Sequence, residues 1–293
     1  VTVSRAIAGS DAREDIEIKV ERGTIPLQSL IESRLLDGGI GYIRMTDFKK
    51  NTADDLRRDL ESLLDRGMRA MVLDLRWNPG GLLNASREVS ELFLPKNSLV
   101  VSTRGREGEA RKTSEDMELY TEKHPVLPET MPVVLLVNQG SASSSEIVTG
   151  ALQYHQRAIV VGEKTFGKGS VQTIIPLTRP QGAALRLTTA LYYTPAGVTI
   201  DQNGILPDVE VTMPIEAQLN IQMMNSYQGD PSRQNEQDHG RVTGNMSEDA
   251  VQDPVLEKAV EIIRAEPIWD NLVLKYHKDV RETQVASADH QEN

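Results

Sequence analysis

The sequence predicts an α/β protein with a partly parallel sheet. Three observations carry that expectation. AMVLDL (70–75), PVVLLV (132–137) and AIVVG (158–162) are short, apolar and rich in β-branched residues, as strands covered on both faces are. Stretches with helical spacing of apolar residues fall between them, and sharp turns follow the first two.

Residues 1–14 are too mixed to assign, and AGSD (8–11) reads equally as a flexible joint or as a fusion scar. DIEIKVERG (15–23) alternates Ile16, Ile18 and Val20 with charged residues, the period of a half-buried strand, and GIGYIRMTDF (39–48) opens another behind two glycines. A helix follows. Thr52 with Asp55 three residues later resembles a capping box, Leu56, Leu60, Leu63 and Leu64 form one stripe, and Gly67 ends it.

After the strand at 70–75, RWNPGGLL (76–83) turns sharply and NASREVSELFL (84–94) reads as a helix. The polar segment 95–130 carries one strand at 98–103. Beyond PVVLLV, Ile147, Val148, Ala151 and Leu152 give a helical face, so the four serines of NQGSASSSEIVTG (138–150) sit at a strand-to-helix turn. ALRLTTALYYTP (184–195) and PDVEVTM (207–213) read as strands. Residues 214–252 read as a helix and linker, partly disordered, with 226–252 almost devoid of apolar residues. Asp253 caps a last helix with Pro254 in its first turn, and 281–293 read as a loose tail.

Composition narrows the chemistry. With 4% aromatics, the core must be aliphatic. A net charge of -11 and no dense basic run argue against nucleic acid and anionic lipid as partners. The absence of cysteine removes thiol nucleophiles and thiolate metal sites. No stretch approaches the roughly 20 apolar residues of a transmembrane helix, and the chain starts at Val1, so a signal or anchor removed upstream is compatible with the sequence.

Ligands gather beyond the carboxyl ends of strands in such sheets, where a helix N-terminus offers free N–H groups. Ser141, Ser143, Ser144 and Ser145 lie there; each serves equally as a helix cap, with Ser143 and Glu146 spaced for a capping box. A nucleophilic serine needs a base. His124, His155, His239, His277 and His290 are all poorly placed, which leaves a lysine of GEKTFGKGSVQ (162–172), Lys164 or Lys168. Lys168, between two glycines and beside Phe166, fits a dry pocket in which a lysine is neutral and basic. The P-loop spacing fails because Gly169 stands where Ser or Thr belongs. NPGG (78–81) is either an ordinary tight turn or the source of N–H donors for an oxyanion.

Together, LDLRWNPGG, NQGSASSSEIVTGAL, VGEKTFGKGSVQ, LRLTTALYYTPAG and NGILPDVEV strongly resemble the carboxy-terminal processing peptidases, the tail-specific serine proteases of family S41. The resemblance covers roughly 15–213 and implies a crotonase/ClpP-like ββα core with flanking strands and C-terminal helices. It implies that Ser143 attacks and that Lys168, 25 positions downstream, is the base. Gln172 would orient the lysine, and the oxyanion donors would be Ser144 N–H with Gly80 or Gly81, Gly80 preferred. No metal or cofactor is needed. The implied substrates are unstructured polypeptide C-termini and the implied location is the cell envelope, periplasm or an equivalent lumen, with room for a regulatory adaptor and for oligomers. Relatives usually carry a PDZ domain before DIEIKVERG, and only about 14 residues precede that strand here, so that domain is expected to be missing near 1–14. The competing readings are a crotonase-like acyl-CoA enzyme, which would need an Asp or Glu acid/base instead, and an inactive or closed protease-like binding protein.

Overall fold

A computed structural model describes residues 2–6, 13–19, 28–105, 116–179, 182–214, 217–218 and 253–265. The expected joint at 8–11, the linker at 226–252 and the tail at 281–293 lie outside the described residues.

The centre is a six-stranded sheet in the order β12-β9-β8-β5-β4-β3, formed by β3 (Leu30–Leu36), β4 (Ile40–Met45), β5 (Ala70–Asp74), β8 (Val133–Val137), β9 (Ile159–Gly162) and β12 (Val209–Glu210). β3 runs antiparallel to β4, and every other pairing in this sheet is parallel. The parallel strands are the predicted apolar runs, and β5, β8 and β9 are buried at every position. Helices on both faces explain why these runs do not alternate.

Alternate residues feed two cores. Met71, Leu73, Val133, Leu135 and Val160 meet the helices α1 (Thr52–Asp65), α2 (Leu83–Ser90) and α3 (Ser144–Tyr154). Ala70, Val72, Val134, Leu136 and Val161 meet α4 (Pro254–Ala265) through Val255, Ala259, Ile262 and Ile263. The predicted stripe on α1 lies in the first core, with Leu56, Leu60 and Leu63 fully buried. Each such leucine contributes about 1.5–3 kcal/mol.

The start of α1 differs from the expected capping box. Asn51 is the N-cap and makes no side-chain cap bond. The Thr52 hydroxyl instead accepts from Lys49 N at 2.8 Å and donates to Ser29 Oγ at 2.7 Å, so it ties the helix to the segment before β3. The ending holds: Gly67 has φ +90° and its N–H donates to Leu64 O at 2.9 Å.

A second, antiparallel sheet has the order β10-β11-β6-β7, with β6 (Leu99–Gly105), β7 (Met117–Tyr120), β10 (Ser170–Pro176) and β11 (Ala184–Tyr193). The strand expected at 207–213 shortens to β12, while β3, β7 and β10 were not anticipated. β1 (Thr2–Ala6) pairs with β2 (Arg13–Glu17), where a strand was expected to begin at 15.

Candidate active site

β5 and β8 are parallel neighbours, so the turns that follow them open on the same edge of the sheet. Two asparagines shape these turns. Asn78 donates through Nδ2 to Met45 O at 2.9 Å, and its Oδ1 accepts Gly80 N at 2.9 Å. Asn138 Oδ1 accepts Trp77 N and Gly140 N, both at 3.0 Å. The turns are then stitched together: Ala142 N and Ser145 Oγ both donate to Asn78 O, at 3.0 and 2.9 Å, and Ser141 Oγ donates to Leu75 O at 2.8 Å.

This stitching sorts the four serines. Ser141 and Ser145 are fully buried and occupied by those bonds. The Ser144 hydroxyl donates to Gly81 O at 3.2 Å, so Ser144 and Ser145 brace the neighbouring turn rather than cap their own helix. Ser143 alone is half-buried and heads α3 as its N-cap, with φ 56° and ψ -113°. A non-glycine residue there stores about 1–3 kcal/mol of strain. Opposite it, Gly80 has φ +96°, and a β-carbon on it would stand 2.7 Å from Ala142 O, 2.8 Å from Ser143 Cβ and 2.8 Å from Ser144 N.

The N–H groups around Ser143 are not equivalent. Gly80 N–H, the preferred oxyanion donor in the sequence, is already committed to Asn78 Oδ1. The N–H groups of Gly81 and Ser144 have no acceptor among the described residues. Both belong to the paired turns, so the free donors are Gly81 and Ser144.

Glu146 joins this centre to the lysine loop. Its fully buried carboxylate accepts Ser143 N at 2.7 Å and Lys168 N at 2.9 Å on Oε2, and Thr165 Oγ1 at 2.7 Å and Gly167 N at 2.6 Å on Oε1. The capping box between Ser143 and Glu146 read from the spacing therefore forms, and the same carboxylate also holds residues 165–168. Phe166 N donates to Ser141 O at 3.0 Å, and Gly169 packs where a β-carbon would stand 2.1 Å from Asp201 N.

With the loop held from beneath through its backbone, its side chains face outward. Lys168 is exposed and Phe166 is 66% exposed, so the expected dry pocket is not formed in this structure. Gln172 is also exposed and sits at a β-bulge between Val171 and Gln172 in β10. Among the described residues no hydrogen bond joins Lys168 to Ser143 or to Gln172. Lys164 is exposed as well. His155 Nε2 lies 2.8 Å from Leu99 O at the far end of α3, and His124 is exposed, so neither described histidine reaches Ser143; His239, His277 and His290 lie outside the described residues.

Three carboxylates brace the site from further away. Arg76, just before the first turn, pairs with Asp74 at 2.6 Å and with Asp253, the N-cap of α4, at 2.7 Å. Burial favours the neutral form of Asp74, but the Arg76 and Arg44 guanidiniums outweigh it and hold the carboxyl at about 2. Asp208 accepts Gln153 Nε2 at 2.9 Å and Val160 N at 2.7 Å, tying α3 to β9, and burial pushes its carboxyl up to about 7. Thr165, Trp77, Arg76 and Asp208 were not singled out in the sequence. The one signal available there was the unbroken run Asn78-Pro79-Gly80-Gly81 directly after Trp77.

Residues 39–211 match the sequence profile of peptidase family S41. The chain is 44% identical over 204 residues to a carboxy-terminal-processing protease of Bartonella bacilliformis, covering 68% of this chain and 44% of that protein. It is 40% identical over 190 residues to a carboxyl-terminal-processing protease of Synechocystis sp., covering 65% and 42%. The chain thus spans less than half the length of these curated relatives. Among solved structures it resembles the photosystem II D1 C-terminal processing protease, with a TM-score of 0.53 and 26% identity over 79% of this chain and 61% of that one.

Proposed function

The chain belongs to peptidase family S41, and from that membership we propose that it is a serine endopeptidase of the carboxy-terminal processing type. Its substrates are unstructured polypeptides cut near their carboxyl ends. The observation that carries this reading is the isolation of Ser143. It is the one serine of four not buried in bonds that brace the turns, it is held at a strained φ of 56°, and it lies beside the N–H groups of Gly81 and Ser144, which have no acceptor among the described residues.

In the reaction, Lys168 Nζ takes the proton of Ser143 Oγ as that oxygen bonds to the substrate's carbonyl carbon. The oxyanion accepts from Gly81 N–H and Ser144 N–H. Collapse breaks the C–N bond, Lys168 returns the proton to the leaving amine, and an acyl-enzyme remains. Water, deprotonated by the same lysine, then attacks the acyl carbon, and as the bond to Ser143 Oγ breaks the lysine returns that proton to the serine oxygen. Gln172 orients the lysine amine without adding charge. Because Lys168 and Gln172 face outward here, the substrate itself strips water from them as it covers the loop, which strengthens each polar contact. The common anchorage on Glu146 keeps the two halves of the site in reach until then.

By the same family reading the protein works in the cell envelope, in a periplasm or an equivalent lumen, and accommodates an adaptor protein or self-assembly. The test is casein hydrolysis by purified protein. Ser143→Ala and Lys168→Ala should each lower kcat by at least about a thousandfold. Equal hydrolysis after either substitution would remove the assignment.

A further inference from the structure

Among the described residues the two larger sheets have four edge strands, and three of them carry charge. β3 has Glu32 and Arg34, β7 has Glu118, and the two-residue β12 ends in Glu210. Charges and short length are the usual means of stopping an edge from pairing with another chain. β10, Ser170–Pro176, carries no charged side chain and pairs only with β11 among the described residues. Its residues Ile174 and Ile175 are 65% and 39% exposed, and as neighbours on a strand they point to opposite faces. Leu185 and Leu187 on β11 are each 47% exposed. The one blocking residue, Pro176, stands at the far end, while the bulge at Val171/Gln172 marks the end nearest Lys168.

We propose that the outer edge of β10 is a docking strand that takes the substrate as an extended segment. This rests on the peptidase reading above. An extended chain supplies N–H and C=O groups at the spacing an open edge requires, and its side chains fall alternately to either face. On β10 those faces present Ile174 and Ile175, and the exposed Arg186 of β11 stands in register with Ile174 on the same face. The strand leaves the catalytic loop at Ser170, two positions after Lys168, so a chain paired along it is delivered to the lysine in extended form. Extended binding also explains why unstructured polypeptides are the substrates: a folded chain has no free strand to add.

Hydrogen exchange tests this on the Ser143→Ala chain, which binds without turning over. The probe is a synthetic, end-blocked peptide of alternating Val and Ala, compared with the same peptide N-methylated at alternate amides. At saturation the plain peptide should slow exchange of alternate amides within 170–176 by at least about tenfold, and the methylated peptide should bind at least about tenfold more weakly. Unchanged exchange in β10, equal binding of the two peptides, or no binding of the plain peptide overturns the proposal. Casein hydrolysis by the unsubstituted chain separates the two claims. Cleavage without β10 protection sinks the docking strand alone, and β10 protection without cleavage sinks the peptidase reading alone.

Discussion

The carboxylate of Glu146 accepts the backbone N–H of Lys168 at 2.9 Å while the same oxygen accepts Ser143 N at 2.7 Å. One buried side chain thus fixes the distance between the two proposed reacting residues without touching either of their functional groups. Four donors converge on its two oxygens. Glu146→Gln has a single acceptor oxygen, so about half the donors lose their partner and meet an amide NH2 instead. Each buried donor left alone costs about 1–3 kcal/mol. Urea unfolding should therefore show a loss of about 2–6 kcal/mol, and casein hydrolysis a loss in kcat of about a hundredfold, since misplacement of about an ångström is enough for that. Full activity in Glu146→Gln would show that the loop is positioned by something else.

Gly80 and Gly67 separate backbone strain from crowding. Their φ values are +96° and +90°, but a β-carbon on Gly67 meets nothing within 4 Å, whereas on Gly80 it meets Ala142 O, Ser143 Cβ and Ser144 N. Gly67→Ala should cost about 1–2 kcal/mol and leave casein hydrolysis unchanged, the loss expected from a left-handed conformation alone. Gly80→Ala should cost the same plus the displacement of the serine turn, and should reduce kcat at least about a hundredfold. Equal activity in the two variants would detach the first turn from catalysis.

Trp77 adopts φ 60°, where a bulky residue is uncommon, and its Cε3 lies 2.3 Å from where a β-carbon on Gly140 would stand. The two residues should therefore be energetically coupled. Gly140→Ala alone should lose about 1–3 kcal/mol through overpacking. In a Trp77→Asn background the same change should lose under about 1 kcal/mol, because Asn tolerates this φ and vacates the space. Additive losses in urea unfolding would rule out the contact as the reason for glycine at 140.

How far the sequence discloses this molecule depends on how local each determinant is. The stripe of Leu56, Leu60 and Leu63, the apolar run of β8 and the cap at Asp253 are written in neighbouring residues, and all three are found. Leu30–Leu36 was missed because it is an edge strand with the polar run Glu32–Ser33–Arg34 at its middle and no alternation to read. The pairing of Arg76 with Asp253 spans 177 positions and leaves no local trace. Ser143 was separated from its neighbours only by family resemblance, since local chemistry left four serines open, whereas the flanking glycines already favoured Lys168 over Lys164. The exposure of Lys168 was unreadable for a different reason. Flanking glycines report how closely the backbone approaches another element, and here that approach turns the side chain outward.

The Asp74–Arg76–Asp253 network sets an acid limit on the fold. Asp74 has its carboxyl lowered to about 2 from an ordinary 3.8. A carboxylate whose folded value is depressed contributes stability that is fully present above the unfolded value and is lost as pH falls through the folded one, here between about pH 4 and about pH 2. A shift of this size corresponds to about 2 kcal/mol. Tyr42 OH, which donates to Asp74 at 2.8 Å, adds to the preference for the charged form. Asp74→Asn cannot titrate, so it should be less stable than the parent at about pH 5 and close most of that gap, by about 2 kcal/mol, at about pH 2. Urea unfolding of both proteins across that range reads the gap directly. A gap that stays constant would mean that Asp74 is not held in its charged form by the guanidiniums. The first turn, and with it Gly80 and Gly81, would then owe its anchorage to the hydrogen bonds of Asn78 and Asn138.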